Sequence, residues 1–268
     1  MKLSRIIVAG SVALAASLGS ASVAFADDHN TSNVSILHGV PGATVDVYVN
    51  GDALLTNFAP GTLTDPLELP EGSYDLKVVA PGAGADGEAI IEANDVAVPA
   101  GADITVVAHL TDAGVPALTP FVNDTSMSEE GGRLTVRHVA AAPAVDIRAG
   151  GAVAVSNLAN PDEAKLDLAA GTVPADVVAA GTDTVVLGPA DVTIAAGSNT
   201  IVYAWGSLED ENLALAIQNV ALDTAGMPHT GAEGPANSTN GLVAATLLLA
   251  GVAVTVVMAQ RNRAGNIA

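Results

Sequence analysis

The amino-acid sequence predicts an all-β protein: two tandem antiparallel β-sandwich domains, with an N-terminal signal peptide and a C-terminal transmembrane helix. Three observations carry this expectation. Between the ends of the chain, short apolar runs alternate with period two and are broken by Pro/Gly turns, with no helical period. The stretch Val34-Ser-Ile-Leu-His38 recurs as Leu134-Thr-Val-Arg-His138, 100 residues on, so the exported part is duplicated. Aromatic residues make up only 3% of a chain that is 50% hydrophobic, so the cores must rest on Val, Ala, Leu and Ile.

In chain order, residues 1–26 come first. Lys2 and Arg5 precede the apolar run Ile6 to Leu18, and Ala24-Phe25-Ala26 forms a small-x-small cleavage site before Asp27. This is the pattern of a secretory signal peptide. No cysteine follows it, and the chain contains none, which removes thiolate catalysis, thiolate zinc sites and disulfides together.

The first unit, residues 27–127, is expected to hold strands at Val34–His38, Val45–Val49, Leu67–Leu69, Tyr74–Val79, Ile90–Glu92 and Ile104–Leu110. Turns at Pro41-Gly42, Asn50-Gly51, Pro60-Gly61, Pro81-Gly82 and Pro99-Ala-Gly101 separate them. Six or seven short strands in under 100 residues argue for a sandwich of the immunoglobulin-like kind, with barrel closure as the rival. The second unit, residues 128–222, repeats the landmarks. Val45-Asp46-Val47 becomes Val145-Asp146-Ile147, Asn57-Phe-Ala59 becomes Asn157-Leu-Ala159, and Ile104–Ala108 corresponds to Thr200–Ala204. The acidic and Gly-rich segment Asn123 to Gly132 reads as a short exposed linker between them.

An extended linker, residues 223–240, leads to the transmembrane segment 241–259 and the basic cytoplasmic tail 260–268. The apolar run Leu242 to Ala259 is just long enough to cross a bilayer, and Arg261 and Arg263 supply the cationic stop. Met227-Pro228-His229-Thr230-Gly231, polar spacer, apolar helix and Arg pair resemble, in that order, the LPXTG cell-wall sorting signal of Gram-positive bacteria, with Met in place of Leu. The resemblance implies cleavage between Thr230 and Gly231 by sortase and joining of the Thr carboxyl to peptidoglycan. A permanent single-pass anchor is the alternative, and either places the duplicated part outside the cell.

The duplicated part also resembles domain-of-unknown-function family 4397. The residues are His38, Pro41-Gly-Ala43, Val45-Asp-Val-Tyr-Val-Asn-Gly51 and Leu69-Pro-Glu-Gly-Ser-Tyr74. The second unit fits less closely, with Arg148 in place of Tyr48 and Leu168-Ala-Ala-Gly-Thr-Val173 in place of the Tyr74 turn. The resemblance implies an exported β domain and brings no assigned activity with it.

Candidate chemistry is sparse. Asp46 and Asp146 occupy equivalent strand positions between apolar residues, so alternation turns them away from the core, where an exposed carboxylate has the chemistry for calcium. His38 and His138 end equivalent strands and are placed to pair with those aspartates across a turn, as a possible ligand or metal site. No Gly-x-Ser-x-Gly elbow, phosphate loop or His-Glu-x-x-His helix occurs. Glu129-Glu130 and Glu209-Asp-Glu211 are the paired carboxylates of a hypothetical glycosidase, but their Gly/Ser flanks read as loops. Lys77 and Lys165 are the only lysines in the exported part, without a pilin assembly motif beside them.

With 28 acidic and five basic side chains over residues 27–230, there is no basic surface for nucleic acid. The expected function is a non-catalytic structural or adhesive cell-surface protein, without a cofactor, anchored to wall or membrane and meeting an extracellular ligand the sequence does not name. The alternative is a ligand- or metal-binding receptor, or an enzyme, with its site at the junction of the two repeats.

Overall fold

The computed structural model of the protein describes residues 31–223. The first repeat contains β1 (Thr31–His38), β2 (Val45–Val49), β3 (Asp52–Phe58), β4 (Leu67–Pro70), β5 (Gly72–Val79), β6 (Ala89–Val98), β7 (Asp103–Leu110) and β8 (Pro116–Val122). The second contains β9 (Gly132–Ala141), β10 (Val145–Ala149), β11 (Ala152–Leu158), β12 (Glu163–Leu168), β13 (Gly171–Ala179), β14 (Val185–Ile194), β15 (Ser198–Ser207) and β16 (Ala214–Ala221). No helix occurs among the described residues.

Each repeat forms two four-stranded sheets, ordered β4-β1-β7-β8 and β3-β2-β5-β6 in the first, β12-β9-β15-β16 and β11-β10-β13-β14 in the second. The second copies the first strand for strand. Two of the eight strands per repeat escape the sequence pattern. β8 contains Pro116 and Pro120, which read as breakers, but β8 lies on the sheet edge and pairs only with β7, where a missing N–H can face outward. β3, Asp-Ala-Leu-Leu-Thr-Asn-Phe, lacks alternation because a bulge interrupts it.

The sheets are not wholly antiparallel as expected. β1 runs parallel to β7, and β9 parallel to β15. Both partners are far apart in sequence, and the intervening strands of the other sheet make the crossover that a parallel pair requires.

In the first repeat Ile36 and Ala108 from one sheet meet Val45, Val47, Phe58, Val78 and Ile91 from the other in a single apolar cluster. Leu134, Val136 and Val202 meet Val145, Ile147, Leu158, Val192 and Ile194 in the same way in the second. A further cluster joins the repeats: Leu37, Val107 and Phe121 pack with Val139, Ile201, Tyr203 and Val220. Strands β1 and β9 are therefore buried on both faces, so that Ser35, His38, Arg137 and His138 are buried alongside the apolar residues of the same strands.

The chain enters, crosses between repeats and leaves at one end of this arrangement. Gly101 N–H donates to Thr31 O, Asn123 N–H to Asp103 O and Gly197 N–H to Gly131 O. Leu222 N–H reaches Gly197 O and Asp223 N–H reaches Thr125 O at 2.6 Å. The connecting segment is strapped rather than loose. Arg133, only 6% exposed, gathers the carbonyls of Ser126 and Met127 and the carboxylate of Asp124, and Asn199 Nδ2 donates to Asp124 O.

Candidate functional site

The Val-Asp-Val/Ile strands hold their carboxylates differently from the expectation. Asp46 and Asp146 are buried, at 4% and 7% exposure. Each does point away from the sheet-to-sheet core, but loops cover that side. On β3 the register slips between Val45↔Phe58 and Val47↔Leu55, so two residues oppose Asp46, and Asn57 takes a positive φ of 53°. The bulge frees the Asn57 N–H, which donates to Asp46 Oδ1 at 2.8 Å, while Gly82 N–H donates to Oδ2 at 2.7 Å. In the second repeat Asn157 (φ 56°) and Gly181 serve Asp146 at 2.7 and 2.8 Å. The backbone donors Asn57 and Gly82 hold the Asp46 carboxyl below the usual carboxylate range, and Asn157 and Gly181 do the same for Asp146. Each carboxylate thus stitches a bulge to the next loop.

His38 and His138 are likewise engaged by backbone. His38 Nε2 lies 3.0 Å from Ala43 O, and the Val40 N–H points at Nδ1 from 3.4 Å. His138 repeats this with Pro143 O at 3.0 Å and Ala140 N at 3.4 Å. One nitrogen donating and one accepting is the pattern of a neutral ring with its proton on Nε2. Burial lowers the pKa of both rings. His38 also stacks on Phe58 with centroids 5.6 Å apart. The hydrogen-bond partners of the histidines and of the aspartates are thus separate backbone groups, and among the described residues no group of three or more His, Asp or Glu is gathered as a metal cage.

The most elaborate polar arrangement lies between the repeats, at residues the sequence reading passed over. Arg137 is fully buried in mid-strand on β9. Its Nε meets Glu163 Oε2 at 2.9 Å, and Nη1 donates to Asn123 Oδ1 and Tyr203 Oη, both at 2.8 Å. Its guanidinium lies 4.4 Å from the Phe121 ring and 5.3 Å from that of Tyr203, within cation–π range of both. Tyr203 Oη donates to Gln218 Oε1 at 2.6 Å, and Thr105 Oγ1 donates to the same oxygen at 2.8 Å. Asn123 Nδ2 bridges Asp103 Oδ1 and Thr105 Oγ1. Burial raises the pKa of the Tyr203 phenol and the Asp103 carboxyl. Arg137 Nη2 is buried without a partner among the described groups. The legible signal was the arginine inside Leu134-Thr-Val-Arg-His138, at the place where the first copy has Leu37.

At the far end of the same contact Trp205 lies against Gly39 and Gly61, and Asn160 Nδ2 bridges Leu110 O and Ala140 O across the repeats. His109, the counterpart of Trp205 in the first repeat, is buried with Nδ1 on Leu110 O and Nε2 on Thr119 Oγ1.

The remaining candidates are dispersed. Glu129-Glu130 and Glu209-Asp-Glu211 sit on exposed turns. Lys77 donates to Ala85 O, and Lys165 pairs with Asp124 and Glu163. Each repeat has a partly open apolar pocket of about 40 Å³, well below the ~150 Å³ that admits a benzene-sized guest. Met227 to Gly231, the signal peptide and the membrane-spanning segment lie outside the described residues.

Residues 32–148 match the family model described as domain of unknown function DUF4397. The match runs from β1 into β10, so it takes in the whole first repeat and crosses into the second. No curated protein matches the chain.

Proposed function

We propose that the duplicated region is a tandem pair of DUF4397 domains, each an immunoglobulin-like sandwich, and that it works as a non-catalytic structural or adhesive module on the surface of a Gram-positive bacterium. One observation supports this above others: the side chains with chemical potential are consumed in holding the fold. Both oxygens of Asp46 and of Asp146 take backbone N–H groups, and both ring nitrogens of His38 and of His138 face backbone partners. The junction, where a shared site would fall, is filled by the Arg137 network. Secretion follows from residues 1–26 and attachment from Met227-Pro228-His229-Thr230-Gly231 as a sortase substrate joined to peptidoglycan, with the apolar helix holding the chain in the membrane until transfer.

Glycan-array and whole-cell adhesion screening of the purified protein tests the module reading. Saturable binding without turnover is expected, and release of product from any arrayed glycan would overturn it. Cell fractionation tests the attachment. Thr230→Trp should move the protein from the muramidase-released wall fraction to the membrane. A parent protein that extracts wholly with detergent and retains Leu242 to Arg263 by mass would show a permanent anchor instead.

A further inference from the structure

The contact between the repeats joins two faces of identical strand order whose side chains have diverged in a complementary way. Leu37 pairs with Val107 across β1 and β7, and Arg137 with Tyr203 across β9 and β15, at the same places in the two ladders. Phe121 faces Thr105 on β8, where Gln218 faces Ile201 on β16. At three equivalent positions the first face thus carries Leu, Val and Phe, and the second carries Arg, Tyr and Gln. The basic groups follow the same division: residues 31–122 contain no arginine, whereas Arg133 and Arg137 come from the second repeat. Glu163, Tyr203 and Asp167 accept from them within the second repeat, and Asn123 and Asp124 accept from the end of the first and the segment after it.

Such a pair is specific in one sense only. Two second-repeat faces would bury Arg137 against its own copy without Asn123 to accept from it. Two first-repeat faces would bury Thr105 and Asn123 without Gln218 or Arg137. Among the described residues every β-ladder, moreover, closes within one repeat, so the segment after β8 and the face itself hold the repeats together there.

We propose that this face is a heterospecific coupler whose partner is a second copy of this chain: the first repeat of one molecule docks on the second repeat of its neighbour, with the Arg137 network reformed between molecules. Exchange of this kind keeps the contacts of the face and changes only which chain supplies them, at the cost of rearranging the strapped segment after β8. The short tether gives the intramolecular pair an effective concentration on the order of millimolar. Closed monomers therefore dominate in dilute solution, and exchange belongs to crowded surfaces or to refolding at high concentration.

The absence of native cysteine makes the test direct. A Cβ built at Gly39 stands 3.3 Å from the Trp205 Cβ across the junction, close to the ~3.5–4.5 Å of disulfide-bonded pairs. Full-length Gly39→Cys and Trp205→Cys chains would be unfolded together, refolded at about 1 mM and oxidised. The expected product is a covalent dimer joining one chain of each kind, in at least tenfold excess over dimers of either variant alone. Equal yields of mixed and like dimers would overturn the proposal. The double variant should crosslink within a monomer; its failure to do so would show that the two faces do not meet and would sink the proposal too. Light scattering on the unaltered chain after the same refolding gives a measurement that no substitution can disturb. A mixed dimer from mass-labelled and unlabelled chains is expected, and a strictly monomeric product would refute the exchange.

Discussion

Replacing Arg137 by alanine removes three polar contacts at 2.8–2.9 Å and the cation that two aromatic rings face, from a side chain with no exposure to solvent. Asn123 Oδ1 is left buried, and the guanidinium's volume becomes a gap between Phe121 and Tyr203. Removing one partner of a buried charged pair costs about 3–5 kcal/mol. Glu163, which is partly exposed, recovers some solvation, so the lower half of that range applies to the ion pair and the gap adds to it. With a urea slope of about 3 kcal/mol/M for a chain of this size, the unfolding midpoint should fall by roughly 1–1.7 M. Arg137→Met leaves Glu163 and Asn123 without the guanidinium as alanine does but refills the gap between the rings, so it should be less damaged than alanine by about 1–2 kcal/mol. Urea titrations followed by far-ultraviolet circular dichroism and by Trp205 fluorescence provide the assay. Because Glu163 and Tyr203 belong to the second repeat, with Asn123 and Phe121 the partners across the junction, the loss falls mainly on the second repeat, and the two probes should separate in the alanine variant and coincide in the parent. An alanine variant within about 1 kcal/mol of the parent, or a Met variant as damaged as the alanine one, would refute the reasoning.

Other outcomes follow from the same geometry. The depressed pKa of Asp46 and Asp146 contributes stability that is complete above the ordinary carboxylate value of about 4 and is lost as pH falls through the lower folded value; Asp46→Asn should flatten part of that acid limb in melts from pH 5 to 2. Burial likewise lowers His38, His109 and His138, so the unfolded chain takes up protons first and stability should begin to fall below about pH 6.5. His109→Gln should remove its share of that slope. Gly61 and Gly51 both have positive φ, but a Cβ at Gly61 would stand 2.8 Å from Trp205 Cζ2 while one at Gly51 meets nothing. Gly61→Ala should therefore lower the melting temperature more than Gly51→Ala, and equal shifts would show that the indole yields freely.

Local signals were legible where a residue's surroundings come from its own strand and turn. Val45–Val49 is a strand with the expected bounds, and the turns at Asn50-Gly51 and Pro81-Gly82 lie where positive-φ Asn and Gly occur. Alternation also told truly that Asp46 faces away from Val45 and Val47. What lies on that other side depends on Asn57 and Gly82, distant residues brought there by a bulge and a loop, and period two carries no information about either. The inter-repeat network was hidden for a related reason. Thr105 and Gln218 are 113 residues apart, and likeness between the copies marks the positions they share, not those at which they differ. Differences of that kind, Arg137 for Leu37 above all, mark the surface on which duplicated domains meet.

The bond from Asp223 N–H to Thr125 O, reinforced by Thr125 Oγ1 on Asp223 Oδ2 at 3.3 Å, ties the exiting chain to the segment between the repeats and fixes where a load would enter. Tension applied along the chain beyond Asp223 enters at the waist between the repeats and then passes into β16, an edge strand joined to β15 by eight facing pairs. If the opposing grip is on the loops beyond Leu110 and Ser207, at the far end, the pull runs along β16 and all its rungs, which lie perpendicular to the strand, must shear together. If the grip is at Thr31, beside the exit, the same pull peels them one at a time starting from Ala221. The protein should therefore be stiff toward whatever is held at its far end and compliant toward a tug at Thr31, a mechanical polarity set by the end of β16 at which the chain leaves.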